Sequence, residues 1–178
     1  MEASLEALRY PIGRFQFPET VSESEMAFAI HTLVVFPEQI FEAVRDLREE
    51  QLDTPYRPDG WTIRQVVHHC ADSHLNAFIR FKWALTESNP VIKTYLEALW
   101  AELPDSKLDP AVSTSLITGI HHRWVVIMQN MSSADWDRTY IHPEYNRQLS
   151  LRQVLMNYDW HCKHHLQHIL QCKKRNGY

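Results

Sequence analysis

The stretch Ser150-Leu-Arg-Gln-Val-Leu-Met-Asn-Tyr-Asp-Trp-His161-Cys-Lys-His164-His165-Leu-Gln-His168-Ile-Leu170 decides how the chain is read. Ser150 and Gln153 form a capping box, each side chain able to satisfy an orphan amide of a first helical turn. Leu151, Val154, Leu155, Tyr158, Cys162, Leu166 and Ile169 return at helical spacing as one apolar stripe. The spacing predicts one long amphipathic helix. Lys173, Lys174 and Arg175 suit its negative C-terminal end, and Gly177 its stop. At about 100° per residue, His165 falls inside the stripe and His161 on its edge. Four apart, their rings lie one above the other. A core-facing imidazole left unsatisfied costs on the order of 1–3 kcal/mol. Two on one face are satisfied separately, by carbonyls, or jointly, by a metal ion. His164 and His168 make a second such pair, turned toward the polar side, where spacing gives them a solvated or supporting role.

Outward from this helix, the rest of the chain predicts three more. Residues 22–48 carry a capping box, Ser22 with Glu25, and a broad apolar face, with a kink or break expected at Pro37. Residues 62–88 begin with Thr62 and Gln65 and carry a core stripe that includes His74. Beside it runs a polar line, Gln65, His69, Asp72, Asn76 and Arg80. That line is either a solvated flank or the lining of a pocket between helices. Asp109-Pro110 starts a third helix that runs to about Met131. On it His121 and His122 are adjacent, so they cannot both face the core; both are taken as structural or exposed.

Between these elements, residues 94–103 are expected to form a short helix and Ser133-Ala-Asp-Trp-Asp a single turn. The segments 138–142 and 147–150 flank Pro143-Glu-Tyr-Asn146 as a small hairpin, with His142 in a local polar contact. Residues 1–20, with Pro11, Gly13 and Pro18, are expected to form an extended arm. The sum is an all-α four-helix bundle in a single domain spanning 1–178, and bundles build their cofactor sites in the core, from facing helices. His68, His69 and His74 are the candidates to complete a site begun by His161 and His165.

Composition narrows the function. A net charge of -4 with both signs dispersed argues against a nucleic-acid partner. No apolar run approaches the length of a membrane span, and the first residues, Met1-Glu-Ala-Ser-Leu-Glu-Ala-Leu, do not look like a signal peptide. Three cysteines, Cys70, Cys162 and Cys172, form no CxxC pair, as expected of a reduced, cytoplasmic protein. Only four glycines are present, with no phosphate-binding fingerprint among them. Eleven histidines are the one anomaly. The zinc-protease pattern needs His-Glu-x-x-His, whereas Cys162 follows His161 and Leu166 follows His165, so that chemistry is disfavoured.

Gly60-Trp-Thr-Ile-Arg-Gln-Val-Val-His-His-Cys-Ala-Asp-Ser-His74, Ile79-Arg-Phe-Lys82 and Trp160-His161-x-x-His164-His165-x-x-His168 together resemble the DinB-like superfamily. They are closest to its YfiT branch, described as metal-dependent hydrolases and as bacillithiol transferases. The resemblance extends to the Tyr10-Pro-Ile-Gly13 arm and to Gln51-Leu-Asp-Thr-Pro-Tyr-Arg57. It implies an up-down-down-up bundle, a homodimer, and one divalent metal ion, zinc or nickel, held by His69, His161 and His165. Periodicity sets His74 deeper in the stripe than His69. The resemblance selects His69, and a border position suits a metal that substrate must reach. Cys70 departs from the family pattern, where an aliphatic residue follows the ligand.

Three imidazoles leave a coordination position open, the mark of a catalytic site. A metal there either makes hydroxide for hydrolysis or deprotonates a thiol for transfer to an electrophile. Lack of an evident general base favours the thiol S-transferase, with a small-molecule thiol and an electrophile as substrates. The alternatives are a hydrolase and a non-catalytic metal-binding dimer. Asn76 and Arg80, further along the polar line from His69, are candidates to hold an anionic or polar part of the substrate.

Overall fold

The computed structural model describes residues 4–178; the first three residues of the expected arm, which also begin the segment judged not to be a signal peptide, lie outside the described residues. Four long helices carry the fold: α2 (Glu23–Val44), α4 (Ile63–Thr86), α6 (Pro110–Gln129) and α8 (Leu151–Asn176). Between them lie single turns, α3 (Glu49–Leu52), α5 (Glu97–Trp100) and α7 (Ser133–Trp136). Capping boxes start α2, α4 and α8 at Ser22/Glu25, Thr62/Gln65 and Ser150/Gln153. Asp109 caps α6 by accepting from the Ala111 amide, with Pro110 behind it. Gly177 ends α8 in the left-handed region, at φ 72°.

Side-chain contacts set the directions of the helices. Near the starts of α4 and α6, the Ser113 hydroxyl lies 2.7 Å from His68 Nδ1; toward their ends Phe81 meets Trp124 edge to face. The two helices are therefore parallel. Likewise α2 and α8 run parallel: Arg152 pairs with Glu23 near their starts, and Lys173 donates to the Ala43 carbonyl near their ends. α4 and α8 are antiparallel, with Ser73 against Tyr158 and His69 against His165. This is the up-down-down-up order. A parallel neighbour requires a long return, and the segment 87–109, holding α5 and the 3-10 turn Pro104–Lys107, supplies it. The hairpin of β1 (Thr139–His142) and β2 (Arg147–Ser150) pairs Thr139 with Ser150 and His142 with Arg147. The core runs along the bundle axis through Leu33, Phe36, Phe81, Trp124 and Leu155.

Several expectations need correction. The arm is not wholly extended: α1 (Leu5–Arg9) forms where Ser4 caps the Ala7 amide, and Pro11, Gly13 and Pro18 all lie beyond it, so they stop that helix rather than forbid it. α2 is unbroken through Pro37 and ends at Val44, short of 48. The segment 94–103 holds only the single turn α5. α2 is also long and apolar enough to cross a membrane, contrary to the expectation that no run approaches that length. Its Met26, Ala29, Leu33, Phe36 and Ile40 are buried in the bundle core, while Phe28, Val34 and Phe41 stand exposed on its outer face.

Removing one cap is a direct check on what starts α8. Ser150→Ala is expected to lower the unfolding free energy by about 1 kcal/mol, measured as a lower urea midpoint at unchanged slope; an unchanged midpoint would mean that packing alone fixes the start of α8.

Candidate metal centre

α4 and α8 face each other through imidazoles. His69 comes from α4, and His161 and His165 from successive turns of α8. One ring nitrogen from each lies within 4.8 Å of the other two. The ring centroids are 4.4 Å apart for His161 and His165, 4.8 Å for His69 and His165, and 5.4 Å for His69 and His161. Trp61, just ahead of the α4 cap, lies against His69 at 4.6 Å.

Burial keeps these rings neutral. It draws His69 down to about 4, helped by the nearby His168, and holds His161 and His165 well below the ordinary histidine value. Neutral imidazoles present lone pairs, and no hydrogen bond joins the three rings to one another. His165 Nδ1 is buried without a partner. A converging set of neutral nitrogens with an orphaned buried atom is the donor set a divalent ion such as zinc or nickel accepts.

His164 and His168 are buried, at 6% and 3% exposure, not solvated as their helical angle implied. The angle is as expected; Trp160 of the same helix and other segments of the chain cover it. Trp160 stacks on His164 at 4.1 Å, Tyr56 stacks on His168 at 3.9 Å, and His168 Nε2 donates to the Arg9 carbonyl. Together with His165 they form a second trio with donor atoms within 4.8 Å. His121 and His122 separate as adjacency requires, His121 buried and His122 exposed.

Two cavities open on the centre. The first, of about 450 Å³, is lined by Arg80, Tyr95, Tyr140, His142, Tyr158 and His161, among others. The second, of about 480 Å³, is lined by Arg9, Arg57, His69, His164, His165 and His168, among others. Glu97, Ala98, Trp160 and His161 belong to both walls. Arg80 is buried; one terminal nitrogen donates to the Lys93 carbonyl, its Nε is unpartnered, and it makes no ion pair among the described residues. Asn76 is not brought to either cavity: its amide donates to the Asp72 carbonyl of its own helix. Tyr95, Tyr140 and His142 line the first cavity from the α4–α6 return and the hairpin, and sequence reasoning missed them as site residues. Only chain tracing over long separations brings them there, and no local pattern signals it.

The buried histidines make stability depend on pH. Unfolded, each protonates near its ordinary value of 6.5; folded, His69 and His121 wait until about 4. Between these values the unfolded chain binds more protons, so stability present above pH 6.5 is lost on acidification toward pH 4. Each such histidine contributes a slope of about 1.4 kcal/mol per pH unit in that window. Urea titrations of chelator-treated protein at pH 7 and pH 5 should show a marked fall in midpoint; equal midpoints would mean that these rings are already charged in the folded state.

Comparison with known proteins places the chain. Residues 33–169 match the model of the DinB superfamily. A protein of Bacillus mycoides strain KBAB4, named "Putative metal-dependent hydrolase", is 46% identical over 168 residues, covering 94% of this chain and 96% of its own. A relative of the same description from Bacillus cereus strain AH820 is 45% identical over the same length. Among solved structures, YfiT from Bacillus subtilis, described as a "probable metal-dependent hydrolase with an unusual four-helix bundle topology", superposes with a TM-score of 0.94 at 41% identity, covering 97% and 99% of the two chains. A mycothiol-dependent maleylpyruvate isomerase shares the fold alone, with a TM-score of 0.63 at 14% identity over 81% of this chain and 60% of that one. With the YfiT-like bundle and its histidine cluster between α4 and α8, this chain belongs to the DinB superfamily.

Proposed function

We propose that the protein is a metal-dependent thiol S-transferase in which His69, His161 and His165 hold one divalent ion, zinc or nickel. The observation that carries the transferase reading is the pair of cavities meeting at His161. Hydrolysis needs one organic substrate and water, whereas group transfer to a thiol needs room for two organic molecules. Each cavity also carries arginine, Arg80 in the first and Arg9 with Arg57 in the second. When bound, the ion lowers the pKa of a coordinated thiol, so that the thiolate is available at neutral pH.

The chain's own residues bind and orient. Arg80 lines the first cavity, and its guanidinium meets an anionic substrate group there; Nε itself is buried without a partner. Tyr140, its hydroxyl kept protonated by burial, offers a neutral donor beside it, whereas the Tyr158 hydroxyl is engaged with the Ser73 carbonyl. Trp160 stands between the two cavities and holds the partners to opposite sides of His161. Hydrolysis of a single substrate is the competing reading, favoured by the names of the relatives.

Metal content, a conjugation assay and an esterase assay decide between them. Wild type is expected to carry about one ion per chain and to couple low-molecular-weight thiols to chlorodinitrobenzene; His165→Ala loses both. Arg80→Met keeps the metal and raises KM for carboxylate-bearing substrates at least about tenfold, as expected for loss of a charge-assisted contact. Thiol-independent hydrolysis of nitrophenyl esters by wild type, with no conjugation, overturns the transferase reading.

We also infer a homodimer. Val34 and Phe41 on α2 and Leu116 and Val126 on α6 are all at least 40% exposed, and a second copy is the occupant that family resemblance implies. Sedimentation equilibrium is expected to give twice the chain mass, and a monomer at micromolar concentration rules the dimer out.

A further inference from the structure

A chain of three imidazoles crosses the bundle and ends at the metal centre, and each link is short. His121 Nδ1 lies 2.6 Å from the Leu33 carbonyl oxygen. His121 Nε2 lies 2.7 Å from His74 Nδ1. His74 Nε2 lies 3.0 Å from His161 Nδ1. The chain starts on α2, passes through α6 and α4, and arrives on α8, so it touches all four bundle helices.

Its starting point depends on a proline. In an unbroken helix the Leu33 carbonyl accepts from the amide of the residue four further on. That residue is Pro37, which has no amide hydrogen. The carbonyl is therefore released inside the core, and His121 fills the vacancy. The missing ladder bond expected to kink or break α2 is replaced by a bond from another helix.

The carbonyl also fixes every proton in the chain. A carbonyl can only accept, so His121 Nδ1 carries the hydrogen, and in a neutral ring its Nε2 is bare. His74 must then donate through Nδ1, which leaves its own Nε2 bare. His161 must in turn donate through Nδ1. The one atom of His161 left with a lone pair is Nε2, the nitrogen free to join His69 and His165. Free imidazole prefers the opposite tautomer, with hydrogen on Nε2, which cannot bind a metal through that atom. The rings are also held by packing. Phe36 lies against both His74 and His121, at 5.2 and 5.6 Å, and Tyr158 lies against His74 and His161, at 5.3 and 5.4 Å.

We propose that His74 and His121 are positioning residues that, with the carbonyl freed by Pro37, lock His161 into the one tautomer able to coordinate metal through Nε2. The proposal rests on the ligand reading given above. The device is a lock and not a proton path. Its far end is a carbonyl, which cannot take up a proton and pass it on, so no net proton moves along it. The protein arrives with the ligand prepared, and no tautomer change is needed when the ion binds.

The test reads the tautomers directly. In metal-free, nitrogen-15-labelled full-length protein at pH 7.5, long-range proton–nitrogen correlation spectra are expected to show His121, His74 and His161 all protonated at Nδ1. Protonation of His161 at Nε2 in that sample overturns the proposal without recourse to any variant. His74→Phe keeps the packing and removes the acceptor; it is expected to weaken zinc binding, measured by chelator competition, about 10- to 100-fold and to shift the visible bands of the cobalt-substituted protein. His74→Gln offers an amide oxygen to His161 and is expected to recover most of that affinity. Equal affinity in His74→Phe and wild type overturns the lock. Metal retained by His165→Ala would sink the ligand set while leaving the tautomer spectra as predicted, so the two failures are distinguishable.

Discussion

Each imidazole enclosed in a protein brings one hydrogen and one lone pair that water no longer satisfies. Eight of the eleven histidines here are below 9% exposure, so that requirement governs the interior more than any single apolar contact. The solutions differ by location. His68 accepts from Ser113 and donates to the Leu108 carbonyl, which ties α4 to the start of α6. His168 donates to the Arg9 carbonyl, which ties the arm to α8. His74 and His121 satisfy each other and pass the remaining valence to Leu33 and His161. Around His165 no protein partner completes the set. Among the imidazoles, unmet capacity gathers on α8 at His164, His165 and His168, with one further case, His142, in the wall of the first cavity.

The topology serves the same point. Because α4 and α6 are parallel, the chain must travel back along the bundle between them, and that return carries Tyr95, Glu97 and Ala98 to the centre. α6 and α8 are consecutive and antiparallel, so no long return is needed between them, yet the hairpin inserted there brings Tyr140 and His142 to the same cavity. The return that the one consecutive parallel pair requires, together with this hairpin, walls the cavities.

Much of this was legible in residues 150–170. The capping box at Ser150, the apolar stripe and the i,i+4 pair His161 and His165 are local features, and local spacing is what helical geometry preserves. The choice of His69 over His74 was not legible from periodicity. Both lie on the buried side of α4, and what separates them is the register against α8: His69 faces His165, whereas His74 Nε2 meets His161 from behind, at Nδ1 of His161. The burial of His164 and His168 escaped for a related reason. Helical angle describes the backbone of one helix: Trp160, a turn back on α8, folds over His164, and His168 is covered by Tyr56 and Arg9, more than a hundred residues away. Arg80 lay on a polar line with Asn76, yet only Arg80 reaches a cavity; angle along a helix does not report which neighbour lies opposite.

Cys162 follows a proposed ligand directly, and Cys70 follows another, yet neither sulfur is available. Both are buried in the core, and desolvation pushes each thiol far above its ordinary value. Cys172 is buried as well, and its thiol is also raised. The protein therefore exposes no thiolate of its own. An alkylating or oxidising compound that enters either cavity finds imidazoles, phenols, carboxylates and guanidinium groups, but no nucleophilic sulfur belonging to the chain. The chain therefore offers such a reagent no thiolate to alkylate and none to carry into a mixed disulfide within the cavities.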